Sequence, residues 1–239
     1  MILLEIVTNK GEATSEARRI SIIGAGAFGT TLAKILAEKG HRIRMWVLEE
    51  QLALQLNTLH INSKYLPGIP LPYTVSAYND FRDAVSDAEI IVFAVPSQFV
   101  RETASKLVKA VGKDFFKGKT VVNVAKGVEY DPARKSFKRM TEVIAEELGA
   151  VLPETNTPSS RVENNEKEDI KKEEIIKEGK QRTGQDKYDE NENNIENKDS
   201  RDVTIIALSG PNLAEEIARN IPTATVLAGR RGKTLDETA

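Results

Sequence analysis

Apolar residues fall along this chain in short unbroken runs, separated by stretches in which they recur every three or four positions. Positions 20–23 (ISII) are apolar and β-branched, as in a buried strand. They lead into Gly24-Ala25-Gly26-Ala27-Phe28-Gly29. Leu32, Ile35 and Leu36 then share one face of a helix predicted over 30–39, which Gly40 ends. Positions 42–48 (RIRMWVL) alternate basic and apolar residues, as a strand with unlike faces does. Positions 52–58 read as helix. Positions 65–72 read as loop, because Pro67, Pro70 and Pro72 forbid a continuous ladder or helix.

The alternation resumes with a short helix over 80–87 and a buried strand over 89–95 (EIIVFAV). A helix over 99–111 and a strand over 120–125 come next. A helix is predicted over 136–148, with Phe137, Met140, Ile144 and Leu148 on its apolar face. A strand over 203–208, a helix from 213 and a strand over 223–227 complete the series. Near-continuous apolar strands alternating with amphipathic helices predict an α/β fold, a doubly wound, Rossmann-type parallel sheet covered on both faces.

Between its two parts lies a stretch of another character. Residues 153–202 hold 10 Lys and Arg, 15 Asp and Glu and 7 Asn, and only Val162, Ile170, Ile175, Ile176, Tyr188 and Ile195 are apolar. Such a composition cannot bury enough surface to offset the entropy of ordering it, so this segment is expected to be a disordered, charged insertion. The organisation expected is an N-terminal extension over 1–19, a dinucleotide-binding domain over 20–152, the insertion over 153–202, the rest of that domain over 203–229 and a truncated tail over 230–239.

Charge and composition narrow the function. The chain of 239 residues has 34 Lys and Arg against 36 Asp and Glu, which supplies no basic field for nucleic acid or an anionic membrane. Cys is absent, and His41 and His60 have no spacing suited to a metal, so no metal site is expected. No apolar run approaches the roughly 20 residues of a membrane span. A reducing, cytoplasmic setting is the default expectation.

Four motifs carry candidate chemistry. Gly24-x-Gly26-x-x-Gly29 joins a buried strand to a helix, the context in which this pattern binds a dinucleotide. Gly24 permits the tight turn, Gly26 lets a pyrophosphate approach the backbone, and Gly29 allows close packing of helix on strand. The helix N-terminus adds free N–H groups for the phosphates. Twenty residues past Gly29, Glu49 ends the second strand, placed to bond ribose hydroxyls and repel a 2′-phosphate. No Arg or Lys occupies 46–50, so NAD is expected over NADP. The second motif, Val95-Pro96-Ser97-Gln98-Phe99, and the third, Lys126-Gly127, each follow the carboxyl end of a buried strand. The fourth, Ser209-Gly210-Pro211-Asn212-Leu213-Ala214-Glu215, can form a capping box from Asn212 to Glu215. Gly210 and Asn212 could also face a ligand in the same crevice.

Together these residues resemble the NAD-dependent glycerol-3-phosphate dehydrogenases. The matching stretches, in order, are GAGAFGTTLA (24–33), MWVLEE (45–50), NSKYLPGIPLP (62–72), VPSQFV (95–100), KGV (126–128) and SGPNLAEEIA (209–218). The resemblance implies NADH-dependent reduction of dihydroxyacetone phosphate to sn-glycerol 3-phosphate, and the reverse. It places Ala27, Phe28, Leu48, Phe99 and Ala214 beside the cofactor with the three glycines. It puts Lys126 near both nicotinamide and substrate, and Gly210 and Asn212 on the substrate side. Members of that family continue into a helical domain holding a second lysine, the general acid/base, and the groups that bind the substrate phosphate. The resemblance therefore implies a cofactor-binding part that needs a complementary helical chain to turn over, and a homodimer when complete. Two other readings stay open: a non-catalytic NAD-binding module whose charged arm recruits a partner, and a dehydrogenase of the same plan acting on a hydroxy acid.

Overall fold

The computed structural model describes residues 16–150, 203–210, 213–221 and 223–229. The charged segment 153–202, most of the N-terminal extension, the tail 230–239 and Asn212 lie outside them, so the expectations made for those residues have no structural counterpart here.

Seven strands form one sheet: β1 (Arg19–Ile23), β2 (Arg42–Trp46), β5 (Val75–Tyr78), β6 (Ile90–Phe93), β7 (Thr120–Asn123), β10 (Thr204–Ser209) and β11 (Val226–Gly229). Their order across the sheet is β11-β10-β7-β6-β1-β2-β5. The first six in chain order run parallel, and β11 returns antiparallel to β10. The chain leaves β1 toward β2 and β5, then crosses back to β6, β7 and β10. The order thus reverses between β1 and β6, and the switch point of such a sheet is where ligands settle, beyond the strands' carboxyl ends.

Helices cover both faces. Helix α1 (Ala27–Glu38) and helix α2 (Glu50–Leu59) border a core built on Ile20, Ile22, Leu32, Leu36, Ile43, Met45, Leu56 and Val92. Helix α3 (Phe81–Val85), helix α4 (Ser97–Val111) and helix α5 (Met140–Leu148) enclose the other, with Ile23, Ile91, Phe93, Leu107, Phe116, Val143 and Ile144. Central strand β6 is buried along its whole length, which explains its unbroken apolar run. Short helix α6 (Ala214–Ala218) is tied to α1, where the Thr31 hydroxyl donates to the Ala214 carbonyl at 3.0 Å.

Several elements differ from the sequence reading. The strand expected over 223–227 lies at Val226–Gly229 and is antiparallel, so the sheet is mostly rather than wholly parallel. Strand β5 gave no long apolar run, because only Val75 and Ala77 of its four residues point into the core. Positions 65–72 are not all loop. Leu66–Pro70 (β4) pairs with Ile61–Asn62 (β3) across a register irregularity, with Pro67, Gly68 and Pro70 exposed. Pro can stand on such a ribbon because it interrupts no central ladder.

The helix expected over 136–148 begins only at Met140. Before it, Val128–Asp131 (β8) and Ser136–Arg139 (β9) form a hairpin around Lys135, whose φ is +49°. Phe137 is therefore on the hairpin, 69% exposed and beside Tyr130, not on a buried helical face. The turn signal Asp131-Pro132 outweighed the apparent helical period. Helix α6 has Leu213 as its N-cap, without a side-chain cap bond, and the capping box expected from Asn212 to Glu215 rests on a residue outside those described. Among the described residues, no helix is long and apolar enough to cross a membrane, and no group of three or more His, Asp or Glu could hold a metal ion.

Candidate functional site at the switch point

The glycine turn closes on the strand beside it. Gly24 has a φ of +115°, and a Cβ added to it would lie 2.7 Å from the Ala94 carbonyl oxygen at the end of β6. A Cβ on Gly29 would come within 2.2 Å of the Gly24 oxygen. Both positions exclude any side chain by contact with backbone, one through conformation as well. Gly26 is different: its φ is −65°, and nothing lies within 4 Å of the place its Cβ would take. The space above Gly26 is open, and the first turn of α1 has no side-chain cap and no acidic residue. Ala27 and Phe28 open that turn and are half-buried. Amides left free at a helix start bind anions.

The end of β2 is held by Asn79, whose side-chain amide donates to the Val47 and Leu48 carbonyls at 2.9 and 2.7 Å. The Gly24 N–H donates to the Trp46 carbonyl at 3.0 Å. Leu48 is left 69% exposed beside the crevice, and Glu49 serves as the N-cap residue of α2 without a side-chain cap bond.

Glu49 is not free. Its Oε1 accepts from Lys64 Nζ and from the Tyr65 hydroxyl, each at 2.8 Å. The Lys64 hydrogen bond, then that of Tyr65, hold the Glu49 carboxyl below the usual carboxylate range, against the burial that would raise it. The same carboxylate raises the Lys64 ammonium above its ordinary value. Both partners come from the ribbon β3–β4. That ribbon is fastened to the glycine turn by fully buried Asn62, whose amide donates to the Ala25 carbonyl at 2.9 Å and to Thr30 Oγ1 at 2.8 Å. Asn62 Oδ1 in turn accepts from the Tyr65 N–H at 3.0 Å.

The other motifs converge on the same end of the sheet. A Cβ on Gly127, where φ is +126°, would lie 2.9 Å from Ser97 Oγ, so the turn after β7 rests on the start of α4. Phe99, in the first turn of α4, is 49% exposed. Lys126 is exposed, and its Nζ donates to the Gly210 carbonyl at 3.1 Å, joining the third motif to the fourth. Ala214 is half-buried at the start of α6. The structure thus gathers Gly24, Gly26, Gly29, Lys126 and Gly210 at the carboxyl ends of β1, β6, β7 and β10.

The sequence reading assigned no role to Asn62, Lys64 or Tyr65. Their partners are 15 to 37 positions away, beyond any local periodicity. No Arg or Lys occupies 46–50, but Lys64 reaches Glu49 across the fold.

Comparison with known proteins bears on the family and the fold. A family model described as NAD-dependent glycerol-3-phosphate dehydrogenase N-terminus matches residues 19–155 and 175–234. The glycerol-3-phosphate dehydrogenase [NAD(P)+] of Corynebacterium diphtheriae is 33% identical over 210 residues, covering 88% of this chain and 46% of its own length. That of Chlorobium phaeobacteroides is 44% identical over 136 residues, 56% of this chain and 38% of its own. Among solved structures, glycerol-3-phosphate dehydrogenase from Saccharomyces cerevisiae superposes with a TM-score of 0.61 at 28% identity, over 91% of this chain and 49% of that one. The chain spans about half the length of the curated relatives it matches. By the extent of the family match, it belongs to the family of NAD-dependent glycerol-3-phosphate dehydrogenase N-terminal domains.

Proposed function

We propose that this chain is the cofactor-binding part of a glycerol-3-phosphate dehydrogenase that interconverts dihydroxyacetone phosphate and sn-glycerol 3-phosphate with NAD(H). The open backbone at Gly26, between two glycines closed by packing, carries this reading. It is the cradle a pyrophosphate needs, and the uncapped start of α1 faces the same space. Gly24 and Gly29 shape the turn. Ala27 and Phe28 border the phosphates.

Leu48 gives an exposed apolar surface for the adenine, and Glu49 accepts from ribose hydroxyls through Oε2. Phe99 and Ala214 line the nicotinamide side. When bound, NADH supplies the hydride that reduces the substrate carbonyl carbon. Lys126 directs its ammonium toward the carbonyl oxygen, where negative charge develops. It does so by leaving the Gly210 carbonyl it now meets. Gly210 and Asn212 border the substrate. The forming alkoxide also needs a proton donor, and the resemblance gives that role to a second lysine in a helical domain. Turnover on this reading requires that domain as well.

A fluorescence titration with NADH tests the reading first. Saturable binding is expected from the chain itself. With the helical part of a relative supplied in trans, NADH oxidation is expected with dihydroxyacetone phosphate and not with 2-oxo acids. Absence of NADH binding would overturn the reading. Binding with turnover of 2-oxo acids would replace its substrate. Binding without turnover in any mixture would favour a non-catalytic module.

A further inference from the structure

The 2.8 Å ion pair between Lys64 and Glu49 bears on a question the glycine turn does not answer, namely which dinucleotide fits. An acidic residue at the end of the second strand ordinarily excludes NADP, because its charge opposes a 2′-phosphate. Here that charge is already met by a cation. Lys64 Nζ and the Tyr65 hydroxyl converge on one oxygen, Oε1. The Lys64 side chain is 56% exposed, so its contact with Glu49 is screened by solvent. The ribbon that carries it is fastened to the turn two residues earlier, through the Asn62 bonds to Ala25 and Thr30. The Lys64 ammonium stands beside Glu49, the residue read above as the partner of the ribose hydroxyls.

Resting on the cofactor-site reading above, we propose that Lys64 is a specificity-determining residue that admits the 2′-phosphate of NADPH. With NADH, Lys64 and Tyr65 hold Glu49 in place for the ribose hydroxyls. With NADPH, Lys64 exchanges Glu49 for the phosphate, which offers a doubly charged acceptor in place of a carboxylate. Glu49 then keeps the Tyr65 hydroxyl as donor, so its oxygen does not lose every partner. Residues 46–50 by themselves predict NAD over NADP. The folded chain predicts dual use with NADH favoured, because Glu49 remains beside the phosphate.

The test is equilibrium binding of NADH and of NADPH to the full chain and its K64M variant, by quenching of Trp46 fluorescence or by calorimetry. Lys64 is exposed and away from both cores, so the variant keeps its fold, which a thermal melt verifies. Wild-type protein is expected to bind both dinucleotides. K64M is expected to weaken NADPH about tenfold, the effect of one charge-assisted contact, and NADH less than threefold. E49Q is expected to move the ratio the other way, toward NADPH. An unchanged NADPH-to-NADH ratio in K64M overturns the proposal and leaves the cofactor site standing. Wild-type protein that binds NADH but not NADPH overturns it too. Protein that binds neither removes the cofactor-site reading itself.

Discussion

The two ends of strand β1 are built to opposite rules. At its amino end the charged side chains and backbone N–H groups find protein partners. Arg19 N–H donates to Glu89 Oε2 at 2.9 Å, Arg19 Nε donates to the Asp87 carbonyl, and Lys119 Nζ donates to the Ala88 carbonyl. The Arg18 N–H donates to Nδ1 of buried His41. At its carboxyl end the backbone bends through Gly24 and leaves the space above Gly26 empty. The first turn of α1 has no side chain to cap it. Polar groups left without protein partners at one end, and paired off at the other, distinguish a ligand face from a structural one. Apolar burial does not separate the two ends, because β1 is buried almost throughout.

The largest expected effect breaks the carboxyl end by packing alone. Gly29→Ala puts a methyl 2.2 Å from the Gly24 oxygen, in a place where only backbone could yield. A loss of about 3 kcal/mol in urea unfolding is expected, in the range of a forced overpacking. Next is Asn62→Ala, which leaves the buried Thr30 hydroxyl without one of its partners and frees the ribbon from the turn. It should cost about 2 kcal/mol by the same measurement. It should also weaken NADH binding, since Glu49 loses its fixed partners.

The smallest effect belongs to the amino end. Burial first, then Lys39 and Arg18, lower the His41 pKa below its ordinary value. The unfolded chain therefore takes up the proton at higher pH than the folded one. The stability of the neutral form is fully present above about pH 6.5, the usual histidine value, and is lost as pH falls below it toward the lowered folded value. Urea midpoints should decline over that window in the wild type and stay flatter in His41→Gln. NADH affinity of the two proteins at pH 7.5 should match.

What the sequence made legible follows the same division. The turn 24–29 was readable because its spacing, a preceding strand and a following helix all lie within twenty residues. Strands β1, β6 and β7 were readable because burial on both faces leaves an unbroken apolar run. The ribbon 61–70 was not, because its prolines argue against pairing, while the feature that fixes it is one buried amide, Asn62, reaching a turn 37 positions earlier. The hairpin 128–139 was missed because Phe137 continues the spacing of the helix that follows, although it stands exposed. The Lys64–Glu49 pair was invisible for a similar reason. Charges 15 positions apart declare no contact until the fold is known.

Gly24 and Gly29 serve packing while Gly26 borders open space, and Gly26→Val separates the two roles. The substituted Cβ meets nothing within 4 Å, and a φ of −65° suits any side chain. The fold should therefore be unaffected, with the urea midpoint within error of the wild type, while the valine fills the space a pyrophosphate would use. The measurement is an NADH titration of both proteins alongside their unfolding curves. Equal stability and at least a tenfold loss of NADH affinity are expected. Unchanged affinity in a stable Gly26→Val protein would mean that no pyrophosphate lies over Gly26.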